Sequence, residues 1–364
     1  MTIHIIDPAI LSAWLGDGRE LAVIDLRNSE EFGKGEPLYA TNIPAARLLI
    51  EISRFVPRRV VRTVLVDGGD GIAARLTSQL AAAGWTDIHA LDGGIPAWLA
   101  GTGVVRPTFD EPGVSFSVRV RDAERTPVLT VADLAALRAA GDDHVVLDSR
   151  TVEEFAIDHV PGAIAVPGAE LVLRFADLVP SPDTRVVISC AGLPRAILGA
   201  QTLIDAGVPN PVAYLHDGTR AWRDAGWSLE TGLTRSYAPQ VSDAALRLAR
   251  QRADALSARD ATPEVNLAAA RAWQADQART TYLLDVRTLE EYSLDHLPET
   301  LSAPGGQLLG VAFRTLAVRH ARVVLIDDLV GARAAVTAHW LRRRGFEIAI
   351  LRHPFADARS RAVA

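Results

Sequence analysis

The chain of 364 residues has one cysteine, Cys190. A single thiol cannot close an internal disulfide, and no second cysteine is present to resolve one formed with a partner. That fits a reducing compartment, expected to be the cytoplasm. No run of about 18 apolar residues occurs, so no membrane span is expected. The opening residues, Met1-Thr2-Ile3-His4-Ile5-Ile6-Asp7-Pro8, lack the basic and apolar regions of a secretory leader. The formal net charge is −6 and no basic stripe appears, which argues against nucleic acid as a main partner. No His, Cys or Asp cluster has metal-ligand spacing, and neither a phosphate-loop nor a dinucleotide glycine signature is present. Neither a metal nor a cofactor is therefore expected.

What is there is ordinary globular material, 49% hydrophobic and 23% charged, long enough for two or three domains. One phrase occurs three times: Val23-Ile24-Asp25-Leu26-Arg27-Asn28-Ser29-Glu30-Glu31-Phe32, Val146-Leu147-Asp148-Ser149-Arg150-Thr151-Val152-Glu153-Glu154-Phe155, and Leu283-Leu284-Asp285-Val286-Arg287-Thr288-Leu289-Glu290-Glu291-Tyr292. The aspartates stand 123 residues (25 to 148) and 137 residues (148 to 285) apart, the size of a small domain. A helix is expected before each phrase, at Pro8 to Leu15, Val131 to Ala140 and Leu267 to Gln277, the second opening on a capping-box-like Thr130 and Asp133. A second apolar strand follows each phrase, at Thr63 to Val66, Val186 to Ser189 and Val323 to Ile326. Strands alternating with helices imply parallel sheets with helices on both faces. The expected fold is α/β, three tandem domains, each a small mostly parallel sheet flanked by helices. The boundaries are 1–108, 122–235 and 263–364, with a linker helix within 236–262 read from the Arg- and Ala-rich run Val241 to Asp260. Gly101 to Arg125 reads as a connector containing proline and glycine.

In the middle unit the second strand runs into Cys190-Ala191-Gly192-Leu193-Pro194-Arg195-Ala196. A helix is expected from Ile197 to Ala206, stopped by Gly207. The thiol thus sits where a strand ends and a helix begins, a place where N–H groups and the helix dipole favour negative charge. A lowered thiol pKa and a nucleophilic thiolate are the expectation. Counting back the same distance from Gly84 and Gly345 places Asp67 and Asp328 where the middle unit has its cysteine. Units one and two close alike, on Gly94-Ile95-Pro96-Ala97-Trp98 and Gly218-Thr219-Arg220-Ala221-Trp222. Trp98 and Trp222 read as packing residues, His159 as a structural histidine.

Three units with Asp-x-Arg-x-x-Glu-Glu-Phe, His-x-Pro-Gly-Ala, a Cys-x4-Arg loop and Gly-x-x-Ala-Trp resemble the rhodanese (sulfurtransferase) family over nearly the whole chain. The resemblance implies a rhodanese fold and transfer of sulfane sulfur through a cysteine persulfide. It matches Cys190 to the sulfur-carrying cysteine, Ala191, Gly192, Leu193, Pro194, Arg195 and Ala196 to the loop that cradles persulfide and substrate anion, and Asp148 and Arg150 to a supporting pair. The chemistry agrees: successive loop N–H groups form an anion nest, and Arg195 can give an oxyanion two parallel hydrogen bonds. The Asp-x-Arg pairs read as structural, since two of the three have no cysteine to assist. The spacing Cys-x4-Arg, shorter than the Cys-x5-Arg of phosphatases of the same fold, favours sulfur over phosphorus chemistry.

The donor stays open among thiosulfate, mercaptopyruvate and a glutathione persulfide type, because Ala191 and Gly192 are neutral and Pro194 has no N–H to give. The acceptor is a thiol or cyanide. The cysteine-lacking domains are expected to shape the active-site mouth or to hold a partner, a second subunit of a homodimer or a sulfur-relay protein. The alternative is a non-catalytic rhodanese-like scaffold in which Cys190 senses redox state or passively accepts sulfur.

Overall fold

The computed structural model describes residues 4–37, 40–101, 105–106 and 111–356. The chain groups into two compact units: Met1–Glu111 with Arg271–Tyr282 and Val311–Val323, and Pro112–Ala270 with Leu283–Gly310 and Val324–Ala364. The outer ends of the expected boundaries 1–108 and 263–364 lie outside the described residues.

Three larger sheets share one strand order. In the first, His4–Ile6, Ile88–Leu91, Thr63–Val66 and Leu21–Asp25 lie side by side, with Thr41–Asn42 pairing the C-terminal half of Leu21–Asp25 and Val318–Arg319 its start. In the second the order is Ile164–Ala165, His144–Asp148, Arg185–Ser189, Val212–Leu215, Val128–Leu129, all parallel. In the third it is Leu301–Ser302, Thr281–Asp285, Arg322–Asp327, Glu347–Arg352. The central strands are mostly aliphatic and β-branched and are buried, save for the exposed Arg185 that opens the middle one, as parallel strands covered on both faces must be. In the middle sheet, Val146 and Val187 pack with Leu134, Phe155, Leu215 and Trp222 on one face.

The repeated phrase has a local physical reason. Its Asp ends a strand. The residue after its Arg is an N-cap: Asn28 accepts from the Glu31 N–H at 2.8 Å, and Thr151 and Thr288 form capping boxes with Glu154 and Glu291. The aromatic residue and the histidine four places on also recur as a stacked pair, Phe155 with His159 and Tyr292 with His296. His159 is fully buried, with Nδ1 at the Phe155 carbonyl and Nε2 at the Thr234 hydroxyl, a structural role.

One expectation changes and another is extended. Part of the connector is a helix, Glu111–Glu124; Phe116 and Val120, four apart, bury one face of it. The run Val241 to Asp260, read as a linker helix, is a helix over Asp243–Arg259, capped by Ser242, and it buries Ala245, Ala249, Ala253 and Leu256. That stripe shows that the helix also packs. Among the described residues no helix is long and apolar enough to cross a membrane.

Candidate active site

Arg185–Ser189 lies between His144–Asp148 and Val212–Leu215, with Ser189 opposite Asp148. The next residue, Cys190, leaves the sheet at its C-terminal edge, where open α/β sheets place their sites. Its carbonyl accepts the Thr219 N–H at 3.0 Å. The backbone approach there is so close that a Cβ on Gly218, whose φ is +43°, would stand 1.7 Å from the Cys190 oxygen. The glycine of Gly-x-x-Ala-Trp is thus fixed by the cysteine loop, and the buried Trp222 anchors the helix behind it, Gly218–Asp224.

The helix after the loop runs Pro194–Asp205, three residues earlier than expected. Proline suits that first position, because its absent N–H has no intrahelical partner there anyway. Ala191 is exposed, Gly192 and Ala196 are buried, and Leu193, Pro194 and Arg195 are half-buried. The Gly192 N–H donates to Cys190 Sγ at 3.3 Å. Cys190 itself is 1% exposed. Burial pushes its thiol up; the Arg195 charge and the N–H groups of Gly192 and Ala196 oppose this without cancelling it, and the Asp148 charge adds to it. The expected lowering is therefore overturned in this resting site, because desolvation outweighs the helix terminus.

Arg195 does not point free into the site. Its guanidinium is paired with both carboxylate oxygens of Glu154, Nη2 to Oε1 at 2.8 Å. Burial alone would raise the Glu154 carboxyl, but Arg195 outweighs it and holds it below its ordinary value. Glu154, which caps the short helix and latches the loop, is a site residue the sequence reading missed; its recurrence as the second Glu of each phrase was the available signal. Arg150 brackets Asp148, with Nε 2.9 Å from Oδ1 and Nη2 2.8 Å from Oδ2, and its Nη1 reaches Asp158 Oδ1 at 3.1 Å. Arg27 with Asp25 and Arg287 with Asp285 repeat the bracket. The pair ties a strand end to the C-terminus of the next helix and does not touch the sulfur.

The outer loops align by register. The N–H groups of Leu26, Ser149 and Val286 donate to the carbonyls of Val66, Ser189 and Ile326. The residues that follow are Asp67, Cys190 and Asp327. Counting back from Gly345 had given Asp328; the third loop is one residue longer, so Asp327 takes the place of the cysteine. Asp67 accepts from the N–H groups of Gly69 and Ala73, each at 2.9 Å. Asp327 accepts from Asp328 at 2.8 Å and Ala334 at 3.0 Å. Arg333 then matches Arg195, and it grips Glu291, the match of Glu154, with Nη2 at 2.9 Å from both oxygens. Among the described residues no group of three or more His, Cys, Asp or Glu could hold a metal ion.

The rhodanese-like domain profile matches residues 7–101 and 130–225, together more than half of the chain. This chain belongs to the rhodanese-like family. A solved rhodanese relative, thiosulfate sulfurtransferase from Pseudomonas aeruginosa, is 42% identical over 96% of this chain and 66% of its own, with a TM-score of 0.91. An HTH-type transcriptional regulator of Mycobacterium tuberculosis is 33% identical over 131 residues, 35% of this chain and 57% of its own. The chain thus spans just under two thirds of the first relative and less of the second.

Proposed function

We propose that this rhodanese-like chain is a sulfurtransferase that moves sulfane sulfur from a small anionic donor to a thiophilic acceptor through a persulfide on Cys190. The observation that supports the reading is the match of three loops: after each central strand a backbone N–H donates to the side chain of the next residue, and at 190 that side chain is a nucleophile. The relationship to a thiosulfate sulfurtransferase makes thiosulfate the first donor to try; mercaptopyruvate and glutathione persulfide follow.

The two displacements balance without a cofactor. Cys190 releases its proton to solvent, and the thiolate attacks the outer sulfur of the donor. With thiosulfate, an Sγ–S bond forms, the S–S bond of thiosulfate breaks, and sulfite leaves with the electron pair. A thiolate or cyanide acceptor then attacks the terminal sulfur, and the Sγ–S pair returns to Cys190. The N–H groups of Gly192 and Ala196 stabilise the persulfide anion, Arg195 holds the loop through Glu154, and Asp148 with Arg150 fixes the strand end beneath it. The loop segment Ala191, Gly192, Leu193, Pro194, Arg195 and Ala196 forms the donor's cradle.

We read the chain as three tandem rhodanese-like domains, 1–108, 122–235 and 263–364, with 236–262 joining the last two. The shared strand order and the third Asp–Arg bracket support the third copy. Asp67 and Asp327 cannot carry sulfur, so the outer domains serve a homodimer contact or a sulfur-relay protein. The lone thiol suits the cytoplasm.

The test is the intact mass of the full chain after incubation with each donor. A gain of one sulfur, absent in Cys190→Ser and discharged by cyanide, is the expected result. The burial of Cys190 favours a second reading, a sensor or passive sulfur acceptor. No gain with any donor, while Cys190 still alkylates, would replace the enzyme with that reading.

A further inference from the structure

The loop's own arginine is engaged. Arg195 is held by both oxygens of Glu154, and Arg333 is held by Glu291 in the same way in a loop that has no thiol. A contact repeated where no nucleophile exists fastens the loop to the neighbouring helix and does not select a substrate. A small anionic donor therefore needs a different cation at the mouth.

Arg220 is placed for this. A Cβ built on Gly192 would stand 2.5 Å from its Nη2 and 3.7 Å from its Cζ, so the guanidinium lies against the loop residue whose N–H donates to Cys190 Sγ. The side chain is 64% exposed and forms a long ion pair with Asp217, Nη2 to Oδ1 at 3.7 Å, with no hydrogen bond between them. Gly192 has no left-handed backbone, so the absence of a side chain there matters for room: any Cβ would push the Arg220 guanidinium away from the loop. The first domain repeats the geometry with different chemistry. Pro96 stands two residues after Gly94, as Arg220 stands two after Gly218, and a Cβ on Gly69 would meet Pro96 Cγ at 3.3 Å. The fold brings this position over the second residue past the cysteine or its replacement. In the loop with the thiol it is a permanent cation; in the loop with Asp67 it is an apolar ring.

We infer that Arg220 recognises the anionic end of the sulfur donor and sets the donor's outer sulfur over Cys190. The inference deepens the sulfurtransferase reading and rests on it for the identity of the ligand. The ligand class is a small oxyanion bearing a sulfane sulfur. Two of its oxygens suit the planar fork of a guanidinium, and Gly192 leaves that fork unobstructed.

The experiment uses the full chain with Arg220→Ala and Arg220→Lys, both checked for wild-type circular dichroism. Two readings are taken: steady-state transfer from thiosulfate to cyanide, and the ratio of Cys190 alkylation rates with iodoacetate (anionic) and iodoacetamide (neutral). Arg220→Ala is expected to raise the KM for thiosulfate about tenfold, with kcat within roughly twofold, as loss of one charge-assisted contact requires. The iodoacetate to iodoacetamide ratio should fall by a similar factor, and Arg220→Lys should recover part of both. Unchanged KM and unchanged ratio in a folded Arg220→Ala would overturn the inference while leaving sulfur transfer intact. If the wild type does not turn thiosulfate over, the alkylation ratio alone decides. A fall then upholds Arg220 as the anion reader whichever donor the chain uses, and no fall overturns the inference, while the sulfurtransferase reading is decided by the mass gain with the other donors.

Discussion

The loops after Val66, Ser189 and Ile326 are built alike and filled differently. At 67 and 327 a carboxylate spreads its two oxygens over two N–H donors, one early in the loop and one at the start of the following helix. At 190 a single sulfur accepts the early donor at the longer distance of 3.3 Å. Capacity for an anion therefore belongs to the backbone of this turn, and the side chain decides whether it is used up within the chain. A carboxylate closes the nest on itself. A thiol leaves it under-filled until a charged sulfur is made there. The difference extends to the latch: Arg195 binds one carboxylate and stays part-exposed, whereas Arg333 is buried among Glu170, Glu291, Asp327 and Asp328. The second loop is fastened by one part-exposed pair, and the third is locked into the packing.

That contrast is most exposed to Arg333→Met against Arg195→Met. Removing Arg333 leaves Glu170 to Arg174 alone, at 2.6 Å, and strips Glu291, Asp327 and Asp328 of their shared partner. Stranding buried carboxylates costs about 3–5 kcal/mol. Removing Arg195 breaks a partly solvated pair and should cost about 0.5–1 kcal/mol. Urea unfolding of the two variants measures both. Equal losses would mean that the two latches are energetically the same.

Much of this was legible in the sequence for physical reasons. Capping, strand burial and the Asp–Arg bracket are local, so Thr151 with Glu154 and Asp148 with Arg150 leave a short-range signature that repeats three times. Close approaches between segments leave none. The pairing of Arg195 with Glu154 spans 41 residues, and Arg220 meets Gly192 only because the strand Val212–Leu215 lies beside Arg185–Ser189. The choice of Asp328 over Asp327 failed because glycine counting assumes equal loops, whereas the register of the strand fixes the position. The direction of the Cys190 shift failed because a helix terminus can be read from a pattern and the depth of burial above it cannot.

Gly218→Ala sharpens the comparison at the joint between loop and closing helix. The added Cβ would enter the Cys190 carbonyl at a positive φ, whereas on Gly94 it would stand 2.4 Å from the Asp67 oxygen. Relief requires the middle loop to move. The expected cost is about 1–3 kcal/mol, with a fall in the rate of Cys190 alkylation beyond any change in stability. A variant with lost stability and an unchanged alkylation rate would show that the loop and its helix are not coupled through this contact.

The smallest effect is the most informative about the thiol. Burial raises Cys190 and the Arg195 charge opposes it, so the iodoacetamide rate should rise with pH to a midpoint above the ordinary cysteine value of about 8.5. Arg195→Met should move that midpoint further up, because the opposing positive charge is lost. The sign carries over to stability: with the folded value raised, the neutral thiol's contribution is full below the unfolded value and is lost as pH rises through the folded one. The native chain should therefore lose a little stability in mild alkali, and Cys190→Ser should not. A midpoint below that of free cysteine would mean that the resting loop already holds a thiolate. The cysteine nest would then be as filled by its own side chain as the two aspartate nests are, and donor binding, not ionisation, would be what separates the middle loop from the other two.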